Sequence, residues 1–489
     1  MVSARASRRH LLLSLGTVLM VVPTIAACSS AQAPVTAPAA SGAPSQPTAA
    51  PASVANPTTA AAQPTALSVN PTAVPTAAAS GQPVTITFMG NHDLAPAQAV
   101  EKAVQAFQQA NPNIHVNWSN VTQNYNAKLE TMAAGGDPPD MYRLAGTDFA
   151  QYAYRGFMLP LDDYMARDKF DKDDFYPVAF SQYQWNGKQL GLSSDVGNRM
   201  VFYNGDLWKK ASLALPLADW SPEGWTFDDF RKTAISLTQK QGGKISQFGF
   251  VNVLDWMTWP LANGGWLWNA DTTDSMVDKP EAIEAFQFLQ DLMFKDQAAE
   301  TKDQQTELNP SQAFLTGKAG MTISSTATGT TTYRQIKAFT WNVIAMPRGP
   351  SLQGDRRVFG GGSGWMIYRL TKQPDATWKL FSAMESKQTS LLLAAQGFAP
   401  ARLSTVQSDV WLDPKLPPAS KKVVTDGPKY IVPFPKATTW NEWVDAVNKQ
   451  LDLLWLNKIS AKDLAPKLKE ATDPLVKKHL DNLKNAPKF

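Results

Sequence analysis

FGFVNVLDWMTWPLANGGWLW, residues 248–268, sets Trp256, Trp259, Trp266 and Trp268 around an Asn263-Gly264-Gly265 turn. Each indole offers a broad apolar face and a single N–H donor, so a cluster of them suits a wall that is partly open. The competing reading is a core segment that happens to be rich in tryptophan, since most large aromatics are buried. These residues alone do not choose between the two. Trp256, Trp259, Asn263 and Trp266 are therefore candidate wall residues whose assignment rests on the rest of the chain.

A chain of 489 residues is longer than one hydrophobic core ordinarily serves, so two domains are expected. Its 44% hydrophobic and 18% charged residues are a globular composition. A formal charge of +4, with no basic cluster in the body, argues against nucleic acid as a partner.

The chain opens as an export address. Arg5, Arg8 and Arg9 precede an apolar run, residues 11–22, too short for a membrane span. Ser7-Arg8-Arg9-His10-Leu11-Leu12 resembles a twin-arginine signal, and a Sec signal carries N-terminal arginines as well. The run ends in Ile25-Ala26-Ala27-Cys28, which resembles a bacterial lipoprotein box. Cys28 is the single cysteine, so it makes no intramolecular disulfide and is expected to be acylated. Residues 29–83 are dominated by Ala, Pro, Thr, Ser and Gln, with no charge and few large apolar residues. Such a segment cannot bury enough surface to offset ordering, and is expected to be a disordered tether whose ends lie about 40 Å apart as a flexible coil.

From Val84 the pattern changes. Residues 84–89 alternate as a strand and lead into the polar turn Gly90-Asn91-His92-Asp93. Val100, Ala103, Val104 and Phe107 fall at helical spacing, 114–118 alternates again, and 125–134 reads as a helix. A short strand over 140–144 follows the breaker Gly135-Gly136-Asp137-Pro138-Pro139. Such alternation predicts a mainly parallel α/β sheet, with ligand outside the carboxyl ends of the strands, in the loops after Met89 and Leu144.

Further motifs follow in order: Asn111-Pro112 with Ile114 and Val116, GGDPPD (135–140), LPLDDY (159–164), WNGKQLGL (185–192), MVFYN (200–204), WTFDDF (225–230), WPLANGG (259–265), GKAGM (317–321) and GGSGW (361–365). This order resembles the extracellular solute-binding proteins of ABC sugar importers, family 1, the maltose-binding type, over nearly everything after the tether. The resemblance implies an α/β, two-lobed periplasmic-binding-protein fold of type II, each lobe a mostly parallel sheet flanked by helices. Lobe 1 would take residues 84–192 and about 361–405, and lobe 2 about 197–358 and about 406–489. Segments crossing near Ser193-Ser194-Asp195 and at 358–361 would form the hinge about which the lobes close on ligand.

Sugars present apolar C–H faces and a rim of hydroxyls, so their sites pair flat aromatics with carboxylate, amide and guanidinium groups. A misplaced hydroxyl leaves a buried partner unpaired at a cost of about 1–3 kcal/mol, which makes such a site selective. By the resemblance, Trp256 and Trp440 occupy stacking positions, and Asn91, His92 and Asp93 form a loop of polar contacts after the first strand. Asp195 would be an acidic contact in the crossing segment and Asp148 a polar one in the loop after Leu144. Gly361, Gly362 and Trp365 would line the cleft, and Arg402 ends a loop, residues 397–402, that resembles the family's turn back into it. Trp443 sits within the stripe Trp440, Trp443, Val444, Val447, Leu451 and Leu454 and reads as core. The chain departs from the maltose binders where Ser324-Ser325-Thr326-Ala327 follows Met321-Thr322-Ile323 without their tryptophan, and where Leu144 replaces an aromatic. Maltose itself is therefore not implied.

Enzyme signatures are weak. His10, His92, His115 and His479 contain no zinc-type pair at helical spacing. The glycines of 360–364 lack the Lys-Ser/Thr end of a phosphate loop, and Trp365 stands where a nucleophile elbow needs glycine. The expectation is a monomeric, non-enzymatic substrate-binding lipoprotein without cofactor or metal, exported and anchored by lipid to the outer face of the cell membrane. It would capture a sugar or oligosaccharide and deliver it to the transmembrane subunits of an ABC permease. The alternatives are the same fold with a non-sugar solute, and a lipid-anchored carbohydrate-active enzyme, whose carboxylate pair has no fixed sequence spacing.

Overall fold

A computed structural model describes residues 83–216, 219–307 and 309–486. The signal segment, Cys28 and the tether up to residue 82 lie outside the described residues.

The first sheet grows from the strand Val84–Gly90, which buries Ile86 and Phe88 and exposes Thr85 and Thr87. Ile114–Asn120 and Met141–Ala145 pair parallel on its two sides. The first crossover is the helix Leu94–Ala110, whose Val100, Ala103, Val104 and Phe107 are buried at the expected spacing. Ser363–Ile367 and Leu192–Ser193 extend the sheet, both antiparallel to their neighbours.

The second sheet is built around Gly197–Asn204. Ala319–Ser325, Trp341–Ile344 and Val358–Gly361 pair with it antiparallel. Lys244–Val251 runs parallel to Ala319–Ser325, and Ile431–Val432 parallel to Val358–Gly361. Both sheets are thus mixed, where the sequence led us to expect mostly parallel ones. In the first sheet the crossing explains this: Met141–Ala145 runs toward the hinge, and Ser363–Ile367 leaves the hinge alongside it in the opposite direction.

Two strands form the hinge side by side. Gly360 and Gly361 face Asn198 and Gly197 in the second sheet, and Gly364 and Trp365 face Ser193 and Leu192 in the first. Between them Ser194 N donates to Ser363 O at 3.0 Å. Only glycine fits this approach: a Cβ on Gly362 would lie 1.6 Å from the Asp195 carbonyl oxygen. The helices Leu403–Val406 and Asp409–Leu412 both pack on Lys387–Ala395. The helices Trp440–Trp455 and Ala461–Lys484 pack on each other in the second lobe. Among the described residues no helix is long and apolar enough to cross a membrane.

Candidate ligand-binding cleft

A cavity of about 470 Å³ lies where the lobes meet, with Thr147 on the first-lobe side and Arg199, residues 254–257, Phe359 and the helix Trp440–Trp455 on the other. The helix has two working faces. Trp440, Trp443, Val447, Leu451 and Leu454 are buried, while Asn441, Val444, Asp445 and Asn448, three or four residues apart, line the cavity. Arg199 reaches it from Gly197–Asn204, and its Nε donates to Asp255 Oδ2 at 2.7 Å. Trp256 follows Asp255 and donates its Nε1–H to Asn448 Oδ1 at 2.8 Å.

Trp256 and Trp440 are each 3% exposed, so they offer ring edges more than open faces to the cavity. Trp440 stacks on Trp443 with centroids 5.2 Å apart, and Trp256 meets the same ring at 6.3 Å. Trp443 thus backs both. One bond joins the lobes directly beside Thr147: Asp148 Oδ1 accepts from Asn441 Nδ2 at 2.9 Å, while Asp148 Oδ2 accepts from Asn126 Nδ2 at 3.0 Å.

Asn91 and Asp195 gather on Arg143, away from this cavity. Arg143 Nη1 donates to Asn91 Oδ1 at 2.9 Å, and its Nη2 lies 3.6 Å from Asp195 Oδ1. Asp195 Oδ1 also accepts from Ser363 N at 2.9 Å, which ties the two hinge strands together. Burial pushes the Asp195 carboxyl up and Arg143 opposes it. His92 is buried against Trp118, Trp365 and Phe398. Burial first, and Arg143 second, hold its imidazole well below the usual value, so it stays neutral. Asp93 is exposed ahead of the helix Leu94–Ala110.

Other expected wall residues are structural. Trp365 is fully buried and meets Phe88 edge-on at 5.0 Å, capping the first sheet. Gly361 and Gly362 serve the crossing, where their lack of a side chain lets the strands touch. Arg402 is held by Asp174 Oδ2 at 2.5 Å and by the Glu385 carbonyl, with its guanidinium 4.4 Å over the Phe175 ring. Trp259 is fully buried among Phe227, Phe230, Phe250 and Phe288. Asn263 clamps its turn, donating to Glu281 O and Glu284 Oε2 and accepting from Ser351 N. Trp266, 37% exposed under the Arg357 guanidinium, lines a separate cavity of about 510 Å³ with Trp185, Trp268 and Phe434.

Of the residues expected from the sequence, the structure brings Trp256 and Trp440 to the cavity, and Asp148 beside it, bonded to the lining residue Asn441. It adds Arg199, Asp255, Asn441, Asp445 and Asn448. The helical spacing of 441, 445 and 448 opposite the apolar stripe was a readable signal for three of these. The Arg199–Asp255 pair, 56 residues apart, had none.

A family model for bacterial extracellular solute-binding proteins matches residues 91–390. A binding protein of Brucella abortus is 23% identical over 371 residues, 73% of this chain and 85% of its own. The maltotriose-binding protein of Pyrococcus abyssi is 22% identical over 59% of this chain and 60% of its own. Among solved structures, the ABC substrate-binding protein from Listeria monocytogenes in complex with cycloalternan matches with a TM-score of 0.70 at 25% identity, covering 81% of this chain and 99% of that one.

Proposed function

This chain belongs to the bacterial extracellular solute-binding proteins, and from that premise we propose that it captures a sugar or short oligosaccharide in the interlobe cavity and delivers it to an ABC permease. One observation carries the reading: the indoles of Trp256 and Trp440 stand beside the Arg199–Asp255 pair and the side chains of Asn441, Asp445 and Asn448. The indole edges give an apolar border for the C–H groups of a sugar, and the amide, carboxylate and guanidinium groups serve its hydroxyls. Because the one guanidinium is already paired with a carboxylate and a second carboxylate lies near, the cavity suits a neutral ligand better than an anion. The maltotriose and cycloalternan of the relatives support the carbohydrate class.

Closure about the glycine-paired strands brings Thr147 and Asp148 over the second-lobe wall, where Asp148 accepts from Asn441. Acylated Cys28 and the segment 29–83 then act as anchor and tether on the outer face of the membrane, and the protein works as a monomer. Titration of the purified protein with mono- and neutral oligosaccharides, read by tryptophan fluorescence, should give a saturable change for at least one. A flat response across the panel, repeated by calorimetry, refutes the carbohydrate reading. Cys28→Ala should move the protein from the membrane to the soluble fraction; retention on the membrane refutes the anchor.

A further inference from the structure

Directly behind the cavity wall stands a buried carboxyl that touches none of the lining residues' side chains in the bonds it makes. Glu300 is 2% exposed and follows Ala299, which bridges to Phe250. Its Oε1 accepts from the backbone N–H of Asn252 at 2.5 Å, from that of Val253 at 3.1 Å and from Gln305 Nε2 at 2.7 Å. Its Oε2 is buried without a partner among the described residues. Those two amides open the segment that carries the site. Asn252 sits at φ +73°, in the left-handed region, and its Nδ2 donates to Ile323 O at 2.8 Å. Its carbonyl accepts from Asp255 N at 3.1 Å, closing a turn that delivers Asp255 to Arg199 and Trp256 to Asn448.

We propose that Glu300 is a positioning residue: one carboxyl oxygen, acting as acceptor, holds the 252–255 turn in the form that puts Asp255 and Trp256 into the ligand cavity. This rests on the reading of that cavity as the ligand site. The groups facing the carboxyl are the two amides and the Gln305 carboxamide. Of the charged side chains on the same segments, Asp255 and Lys302 are engaged by Arg199 and Asp452. Burial pushes the carboxyl up to about 8, so at neutral pH it is mainly an uncharged acid and what it supplies is the acceptor. Glutamine offers the same acceptor at the same reach; methionine fills the space and offers none.

The test compares Glu300→Gln and Glu300→Met on the full chain. Without ligand, hydrogen exchange at the Asn252 and Val253 amides should stay protected in the glutamine variant and speed up at least tenfold in the methionine variant. Carbohydrate affinity should stay within about twofold of wild type for glutamine and fall about tenfold or more for methionine, because two buried N–H groups lose their acceptor. Wild-type exchange and affinity in the methionine variant overturn the proposal. An equal loss in both variants also overturns it, since the ionised carboxylate and not the acceptor would then be at work. If the wild-type protein binds no carbohydrate, the reading of the cavity fails, while the exchange comparison still decides whether Glu300 holds the turn.

Discussion

Trp256 turns toward the interlobe cavity with its N–H held by Asn448 Oδ1 at 2.8 Å, whereas Trp259, about one helical turn on, is fully buried among four phenylalanines with its N–H unbonded among the described residues. The two differ little in exposure, 3% against 0%, so burial alone does not separate them; their neighbours do. The contrast recurs in the late helix, where Trp440 borders the cavity and Trp443 stands behind it with its N–H on Ser275 Oγ. In each pair one indole is presented and its neighbour supports it. A ligand site here would be the outermost layer of an aromatic core, so replacing its rings tests binding and packing together.

The sharpest way to break the contrast is Trp259→Ala. Emptying that position should cost about 3–5 kcal/mol of stability, read by chemical denaturation. Trp259→Phe should lose less stability and leave ligand affinity near wild type. Loss of affinity without loss of stability in Trp259→Phe would place Trp259 with the wall after all.

The support under the late helix should show itself in the pH profile. His479 Nδ1 accepts from Thr438 N at 3.0 Å, and the ring meets Trp268 edge-on at 5.7 Å. Burial brings its imidazole down to about 4 from the usual 6.5. As pH falls below 6.5 the unfolded chain takes up a proton that the folded one refuses until about pH 4, so stability falls through that window. At about 1.4 kcal/mol per pH unit the loss approaches roughly 3 kcal/mol. His479→Gln should be less sensitive to acid over the same range; an unchanged acid slope would contradict the assignment.

On the wall side the expected effects are smaller. Trp256→Phe and Trp440→Phe keep a ring but change the edge offered to ligand, and Trp256→Phe also frees Asn448. Each should weaken carbohydrate binding about tenfold in calorimetry, with most of the fold's stability retained. Wild-type affinity in both would show that the ligand does not read these rings. The smallest effect belongs to the bond between lobes. Asn441→Ala removes the donor to Asp148 and should weaken binding about threefold to tenfold, chiefly through faster release. Unchanged release kinetics would remove that bond from the closing mechanism.

The legible parts of this molecule were those written in short-range pattern. Ile86 and Phe88 alternate on a strand, Val100 to Phe107 repeat on a helix, and the 440–454 stripe gave its core face including Trp443. Arg402 and His92 looked equally polar in sequence. Yet Arg402 is consumed by Asp174 and Glu385, 228 and 17 residues away, and His92 by a buried aromatic pocket. Asp195 was found where it was expected, in the crossing segment, but it binds the hinge backbone and Arg143.

By itself, then, the sequence determined the family and the order of the first strands and helices, because each depends on residues a few positions apart or on their order along the chain. Only the tertiary structure decided which tryptophans face the cavity, which carboxylate pairs with Arg199, and that Asp148 meets Asn441 across 293 residues. Those choices depend on where two separately patterned lobes come into contact, and no local spacing encodes that.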